Sequence, residues 1–476
     1  MSVDMGKGTV YYMMSRFAFL LSSYAIHITM AYYLKDPRDY GTLGVIISMV
    51  TITRVFLSNG LPQATSRFIA QQEENASAIL RSSLRIQLFL VAVVLVFYLA
   101  GIPLWTYLLN DRTLTRYILC SAPLVPLMAT FQIYLSYFNG KRLFGKQAFF
   151  SALYSVGRFV FAFVLVLLGM KIFGVLLGFI ISLTLALILS KLSIKTQPES
   201  CEFNSRTLVN FAAPIILLSV GISFLLNLDV LLLKHFFPDS DVIGYYTGAM
   251  NLGKAPYFIF YAFSVTLLPS LSKALSENNL EKVRGLIERN LSYLLFLSIP
   301  SAAIVLATSE KLLDFVYPQP FTEASDALGI LIFSMSLLAL LFALVSVITA
   351  SGKPRVSMTI ILLCIPIQIV SGLYLIPRYG MVGAACSHLL TVCFGTVLAT
   401  FLVWKYFRTL FDLNRVTKTV VCSFVIYLLL KSFTIYPVRM LPVVYILAFG
   451  LFFAIMILIG GVSKNDIAFV KKLFHR

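Results

Sequence analysis

Fourteen apolar runs, each near the twenty residues a helix needs to cross a hydrocarbon core of about 30 Å, decide what this chain can fold into. Their limits are roughly 9–32, 41–62, 82–101, 115–138, 147–169, 171–192, 207–233, 243–270, 288–308, 327–350, 355–377, 380–404, 416–434 and 440–460. In lipid only a helix satisfies its own backbone within one short segment. The expected class is therefore an all-α polytopic membrane protein with 14 transmembrane helices. Composition agrees: 59% of the 476 residues are hydrophobic and only 12% are charged, about half the charged share of a soluble domain. The first run is too long for a cleavable signal and no small-residue cleavage site follows it, so none is expected.

A net charge of +18 could suggest a nucleic-acid partner, but the placement of the charge excludes that class. Fourteen spans put both termini on one face. That face carries 24 of the 38 Lys and Arg residues, the opposite loops carry ten, and four lie inside spans. By the positive-inside rule both termini are expected in the cytoplasm, with the basic loops beside anionic lipid. The six cysteines form no CxxC pair and the four histidines no metal-spaced cluster, so no zinc site, disulfide framework or cofactor is indicated.

The chain is duplicated. Gly41 corresponds to Gly244, Pro62 to Pro269, Gly140-Lys141 to Gly352-Lys353 and Gly174 to Gly380, at offsets of 203, 207, 212 and 206 residues. Six spans separate the copies, an even number, so both enter the membrane in the same sense. Parallel repeats of this kind imply two six-helix lobes with a substrate path between them. The expected divisions are 1–200 for the first lobe, 201–405 for the second, and 406–476 for two further helices and a tail. The linker between lobes is read at about 193–206.

Four cations lie inside spans: Arg16, Arg54, Arg158 and Lys254. Helical spacing sets each in a polar or aromatic stripe. Tyr12, Ser23 and His27 share a face with Arg16, Thr51 and Ser58 with Arg54, Tyr154 with Arg158, and Asn251, Tyr257 and Tyr261 with Lys254. The spans hold one carboxylate, Asp229. Self-neutralised pairs would need more acids. An excess of buried positive charge fits a wet cavity visited by an anion, and arginine's planar fork suits phosphate oxygens. Two bland readings stand beside this one. An arginine two turns from a span's end can snorkel to the interface, and tyrosines at helical spacing are common packing residues. Asp229 and His27 are candidates for coupling a proton or sodium ion to the cycle, and Asp229 could equally balance a neighbouring cation.

Duplicated six-helix lobes, two trailing helices, the segments Gly60-Leu61-Pro62-Gln63-Ala64-Thr65-Ser66-Arg67 and Leu267-Leu268-Pro269-Ser270, and cations in spans 1, 2 and 8 give the chain its likeness. It resembles the multidrug/oligosaccharidyl-lipid/polysaccharide exporter superfamily. Within it the chain is most similar to the Wzx-type O-antigen and capsule repeat-unit flippases, which resemble the lipid II flippases. The resemblance implies two bundles forming a V that opens alternately to each side. It implies a cargo, a polyprenyl-diphosphate-linked oligosaccharide, moved from the inner to the outer leaflet of the cell membrane by a non-enzymatic monomer. Polysaccharide polymerase and assembly proteins are the implied partners. An ion-coupled exporter of cationic drugs remains an alternative, although such cargo calls for acidic cavities. A membrane polymerase or ligase is a further alternative, although no outer loop is long enough to carry its catalytic residues.

Overall fold

The computed structural model describes residues 2–194, 203–433 and 435–461, and its regular structure is entirely helical. Most of the expected linker and the C-terminal tail lie outside the described residues. Eleven helical stretches among those described are long and apolar enough to cross a membrane. The protein is a multi-pass membrane protein.

Packing divides the chain into two compact units, Met1–Thr247 and Gly248–Arg476. The first unit holds α1 (Ser2–Tyr33), α2 (Pro37–Ser58), α3 (Gly60–Gln71), α4 (Ala76–Ala100), α5 (Ile102–Leu108), α6 (Leu114–Ser121), α7 (Leu124–Gly140), α8 (Phe144–Leu167), α9 (Lys171–Leu192), α10 (Ser205–Leu225) and α11 (Leu228–Phe236). The boundary falls within α12 (Val242–Gly253). The second unit continues with α13 (Ala255–Ser276), α14 (Leu280–Ala307), α15 (Ser309–Val316), α16 (Ser325–Ala350), α17 (Pro354–Phe407), α18 (Leu413–Ser432) and α19 (Leu441–Leu458). This boundary differs from the 200/201 division read from the duplication, because α10 packs on α2 and α3 and α11 packs on α2. A repeat records ancestry, whereas a unit records packing.

Local chemistry sets the ends. Pro37 opens α2, where its missing N–H is no loss, and the Asp36 carboxylate caps the helix by accepting from the Arg38 N–H. The tight α8–α9 hairpin turns through Gly169 at φ 85°. In α17 a single residue, Gly380 (φ 54°, ψ −125°), interrupts 54 residues of helix, and it separates the eleventh and twelfth apolar runs.

The spans read at 207–233 and 243–270 are each broken. Asn227 leaves helical geometry between α10 and α11. Lys254 marks the joint between α12 and α13, where Pro256 has no N–H to give the Leu252 carbonyl.

The duplicated glycines touch. A Cβ on Gly41 would lie 2.6 Å from the Gly244 nitrogen, and one on Gly244 would lie 2.1 Å from the Pro37 carbonyl oxygen. Only glycines let the starts of α2 and α12 approach this closely. An exposed ion pair, Arg38–Asp241 at 3.0 Å, spans the same two segments. In the second unit α16 is the most enclosed helix. Phe296, Ile304, Ile426, Phe452 and Met456 join α14, α18 and α19.

Candidate functional site: charged groups inside the spans

In the first unit the structure gathers Arg158, Tyr154 and Ser23 of the expected set. Arg158, on α8, is buried. Its Nε donates to Ser22 Oγ at 3.2 Å, and a terminal nitrogen donates to the Phe19 carbonyl at 3.1 Å and to Ser23 Oγ. The guanidinium lies 4.3 Å from the Phe19 ring centre and 5.5 Å from that of Tyr154. Every group that holds it is neutral. Ser22 in turn donates to the Ser155 carbonyl, so α1 and α8 are stapled through one positive charge.

Arg54, on α2, is half-buried, and Tyr154 and Arg158 both lie in its electrostatic field. Among the described residues it has no hydrogen bond and no ion pair. The two arginines thus play different physical parts. Arg158 is a fixed charge with most of its donors committed. Arg54 has its planar fork of five donors uncommitted. Of its stripe, Thr51 is half-buried and the Ser58 hydroxyl is buried without a partner among the described residues. The side chains of Tyr12 and Arg16 lie outside the described residues.

The single carboxylate is placed by a helix break. Asp229 is fully buried in the first turn of α11. One oxygen accepts from the Val230 N–H at 2.9 Å and the other from the Tyr246 hydroxyl at 2.7 Å. The positive end of the α11 dipole favours an anion there. Among the described residues no cation forms an ion pair with it. His27 Nδ1 lies 3.2 Å from the Tyr40 hydroxyl and belongs to the same unit as Asp229.

In the second unit Lys254 is buried at the α12–α13 joint. Tyr257 stacks near Tyr261 (5.7 Å) and Phe342 (5.5 Å), an aromatic cluster on α13 and α16. Asn251 is half-buried.

Two features escape the sequence reading, the ties of Gln87 and the Lys234–Asp111 pair, while Gln368 is the polar residue of the eleventh apolar run. Gln87 is fully buried and donates to the Leu57 and Ala129 carbonyls at 2.8 and 3.1 Å, tying α4 to α2 and α7. Gln368 is fully buried with no partner for its amide among the described residues. Lys234 pairs with Asp111 at 2.7 Å, largely shielded from solvent. No helical spacing signals the last pair, since 123 residues separate its members. Asp111 shows two opposing effects. Burial pushes its carboxyl up, but hydrogen bonds from Lys234 and Thr113 and the Lys234 charge outweigh that, holding it below the usual carboxylate range.

Residues 33–326 match the family described as polysaccharide biosynthesis protein. Two similar proteins come from Haloferax volcanii. One, named a probable low-salt glycan biosynthesis flippase, Agl15, is 25% identical over 70% of this chain and 70% of its own length. The other, named a probable flippase, AglR, is 26% identical over 38% of this chain and 39% of its own. Among solved structures, the lipid II flippase MurJ in an inward closed conformation superposes with a TM-score of 0.76 at 15% identity, covering 94% of this chain and 97% of MurJ. An inward-facing multidrug resistance MATE transporter of the MOP superfamily gives 0.69 at 14% identity, covering 82% and 96%. At such identities these structures establish a shared fold. The family match spans well over half of the sequence, and the chain belongs to the polysaccharide biosynthesis protein family.

Proposed function

We propose that the protein is a flippase for a polyprenyl-diphosphate-linked oligosaccharide, carried from the inner to the outer leaflet of the plasma membrane by alternating access. It is a transporter, not an enzyme. The reading includes fourteen spans, cytoplasmic termini and two six-helix lobes with two further helices. One observation carries it: Arg54 and Arg158 lie within one another's electrostatic field inside the spans, with no carboxylate partner among the described residues. Two desolvated cations repel, and an anion entering between them relieves that cost. A diphosphate carries the charge and the oxygens that an uncommitted guanidinium binds in pairs. Arg54 is the cargo ligand in this account, Arg158 a fixed source of positive field, and Arg16 and Lys254 further cationic contacts.

The relatives' printed names, glycan biosynthesis flippase and lipid II flippase, favour such cargo. The MATE likeness alone favours a drug exporter, but a cationic drug would meet like charge at Arg54. Asp229, set at a helix break, is the proposed site for a coupling proton or sodium ion, with His27 as the second candidate. The test is transport. Purified protein in liposomes should expose a diphosphate-linked fluorescent oligosaccharide to an external quencher. Export of a lipophilic cation with no flipping of the lipid-linked sugar would overturn the proposal.

A further inference from the structure

We infer that the notch between the first turns of α14 and the start of α18 is a binding site for the phosphate of an anionic phospholipid headgroup, distinct from the cargo path.

The site is built by unequal helix lengths. Ser292 on α14 accepts from the Asp412 backbone N–H at 2.9 Å, which fixes where α18 begins. α14 itself begins at Leu280, twelve residues earlier, so it projects about 18 Å beyond that point. The step leaves an open cavity of about 510 Å³. A cation stands on each wall, Arg289 from α14 and Arg415 from α18. The Arg415 guanidinium packs 4.7 Å from the Tyr293 ring centre and 4.8 Å from that of Phe296, which holds it in place. Arg289 is exposed and forms no ion pair among the described residues. Lys282 adds a third cation at the far end, where it pairs with Glu277 at 2.8 Å.

Two acids also line the notch. Asp412 is committed to α18, its carboxylate accepting from the Arg415 N–H, and Glu288 is exposed. The positive end of the α18 dipole faces the same space. A phosphodiester there would meet two guanidiniums and a helix start, while its acyl chains remained in the adjoining lipid. The apolar part of α14 begins at Leu291, so the cavity lies at headgroup level. Basic notches of this kind between membrane helices hold anionic headgroups. Gly285 opens the wall, since a Cβ there would meet nothing within 4 Å.

The experiment uses the full chain in phosphatidylcholine nanodiscs with and without phosphatidylglycerol. Phosphatidylglycerol retained per protein is counted by native mass spectrometry, and thermal midpoints are measured in parallel. Arg289→Gln should weaken retention about fivefold, the equivalent of about 1 kcal/mol per basic side chain at a charged membrane surface. Gly285→Phe, which fills the notch and alters no charge, should abolish the retained lipid. Both should melt like wild type in pure phosphatidylcholine. Arg355→Gln, on an exposed residue outside the notch, should change nothing. Wild-type retention by both notch variants would overturn the site. So would an equal loss from Arg355→Gln, which would mean diffuse attraction. Inorganic phosphate that displaces the lipid and stabilises the protein equally would overturn the assignment to a headgroup. No arm depends on transport, so the site and the proposed function fail separately.

Discussion

Arg54 and Arg158 should respond in opposite ways to loss of charge. Arg158 donates to the Phe19 carbonyl, Ser22 and Ser23. Hydrogen bonds from a charged group contribute about 1.5 kcal/mol each at the low end, so the three amount to about 4.5 kcal/mol. Removing a charge from membrane depth recovers about 2.5 kcal/mol. The stranded acceptors add little, because the Phe19 carbonyl is inside a helix and Ser22 already bonds Ser155. Arg158→Met should therefore destabilise the protein by about 2 kcal/mol, which lowers the melting temperature of a chain of this length by about 2 °C. Arg54 has no such bonds to lose, so Arg54→Met should leave the melting temperature unchanged or raise it. Transport should show the reverse ranking. A charge-assisted contact to phosphate contributes about 1.5–3 kcal/mol, so Arg54→Met should weaken cargo binding by roughly ten- to a hundredfold. Arg54→Lys should keep part of that binding, and Arg54→Glu should be worse than Met. The assay is flipping of a diphosphate-linked fluorescent oligosaccharide in liposomes, with melting followed on the same preparations. Wild-type flipping by folded Arg54→Met would refute a cargo contact at Arg54 and reopen the drug-exporter reading.

Other consequences follow from single contacts. Gly244→Ala should destabilise by about 1–3 kcal/mol through its clash with Pro37, whereas Gly145→Ala, with open space around it, should not; melting temperatures decide. The Asp111 carboxyl is held low in the folded state, so its contribution is present above the ordinary carboxylate value and is lost as pH falls through the lowered one. Melting of the wild type should therefore drop below about pH 4, and Asp111→Asn should be flatter in that window and about 3–5 kcal/mol less stable at neutral pH. Asp229→Asn keeps an acceptor for Tyr246 and should fold, but should uncouple transport from an imposed ion gradient; unchanged ion-driven flipping would make Asp229 purely structural. Cysteines placed at the exposed positions Glu74 and Asp239 should label from the cytoplasm and from outside respectively, and labelling in the opposite sense would invert the topology.

The helices were legible because membrane helices announce themselves by length and are punctuated by glycine and proline. Lys171–Leu192 matches its apolar run residue for residue, and Gly380 divides two runs where the chain leaves helical geometry. The breaks at Asn227 and Lys254 were not legible. A broken span keeps its apolar composition, and composition is all that a hydropathy reading measures. Side-chain partners were hidden for a related reason. Helical spacing sets Ser23 on the stripe of Arg16, but Ser22 and Phe19 also hold Arg158. Lipid is as apolar as a neighbouring helix, so no amphipathic pattern says which stripe meets protein. Side chains on separate spans also carry no common period, which is why nothing in the sequence marks Tyr246 as the partner of Asp229.

The placement of the charges also differs from that of a purely structural network. In a network that exists only to bind helices together, each buried charge would meet an opposite one, as Lys234 meets Asp111. Inside the spans of the first unit the pattern differs. Arg158 is held by hydroxyls, a carbonyl and rings, and Asp229 by a hydroxyl and a backbone N–H. Both charges are kept and oriented without being cancelled. Holding a charge by neutral groups leaves its field available to a visitor, whereas an ion pair spends it. The cost of two separate, oriented charges in a membrane interior is what the proposed anionic cargo at the arginines and the proposed coupling ion at Asp229 would account for.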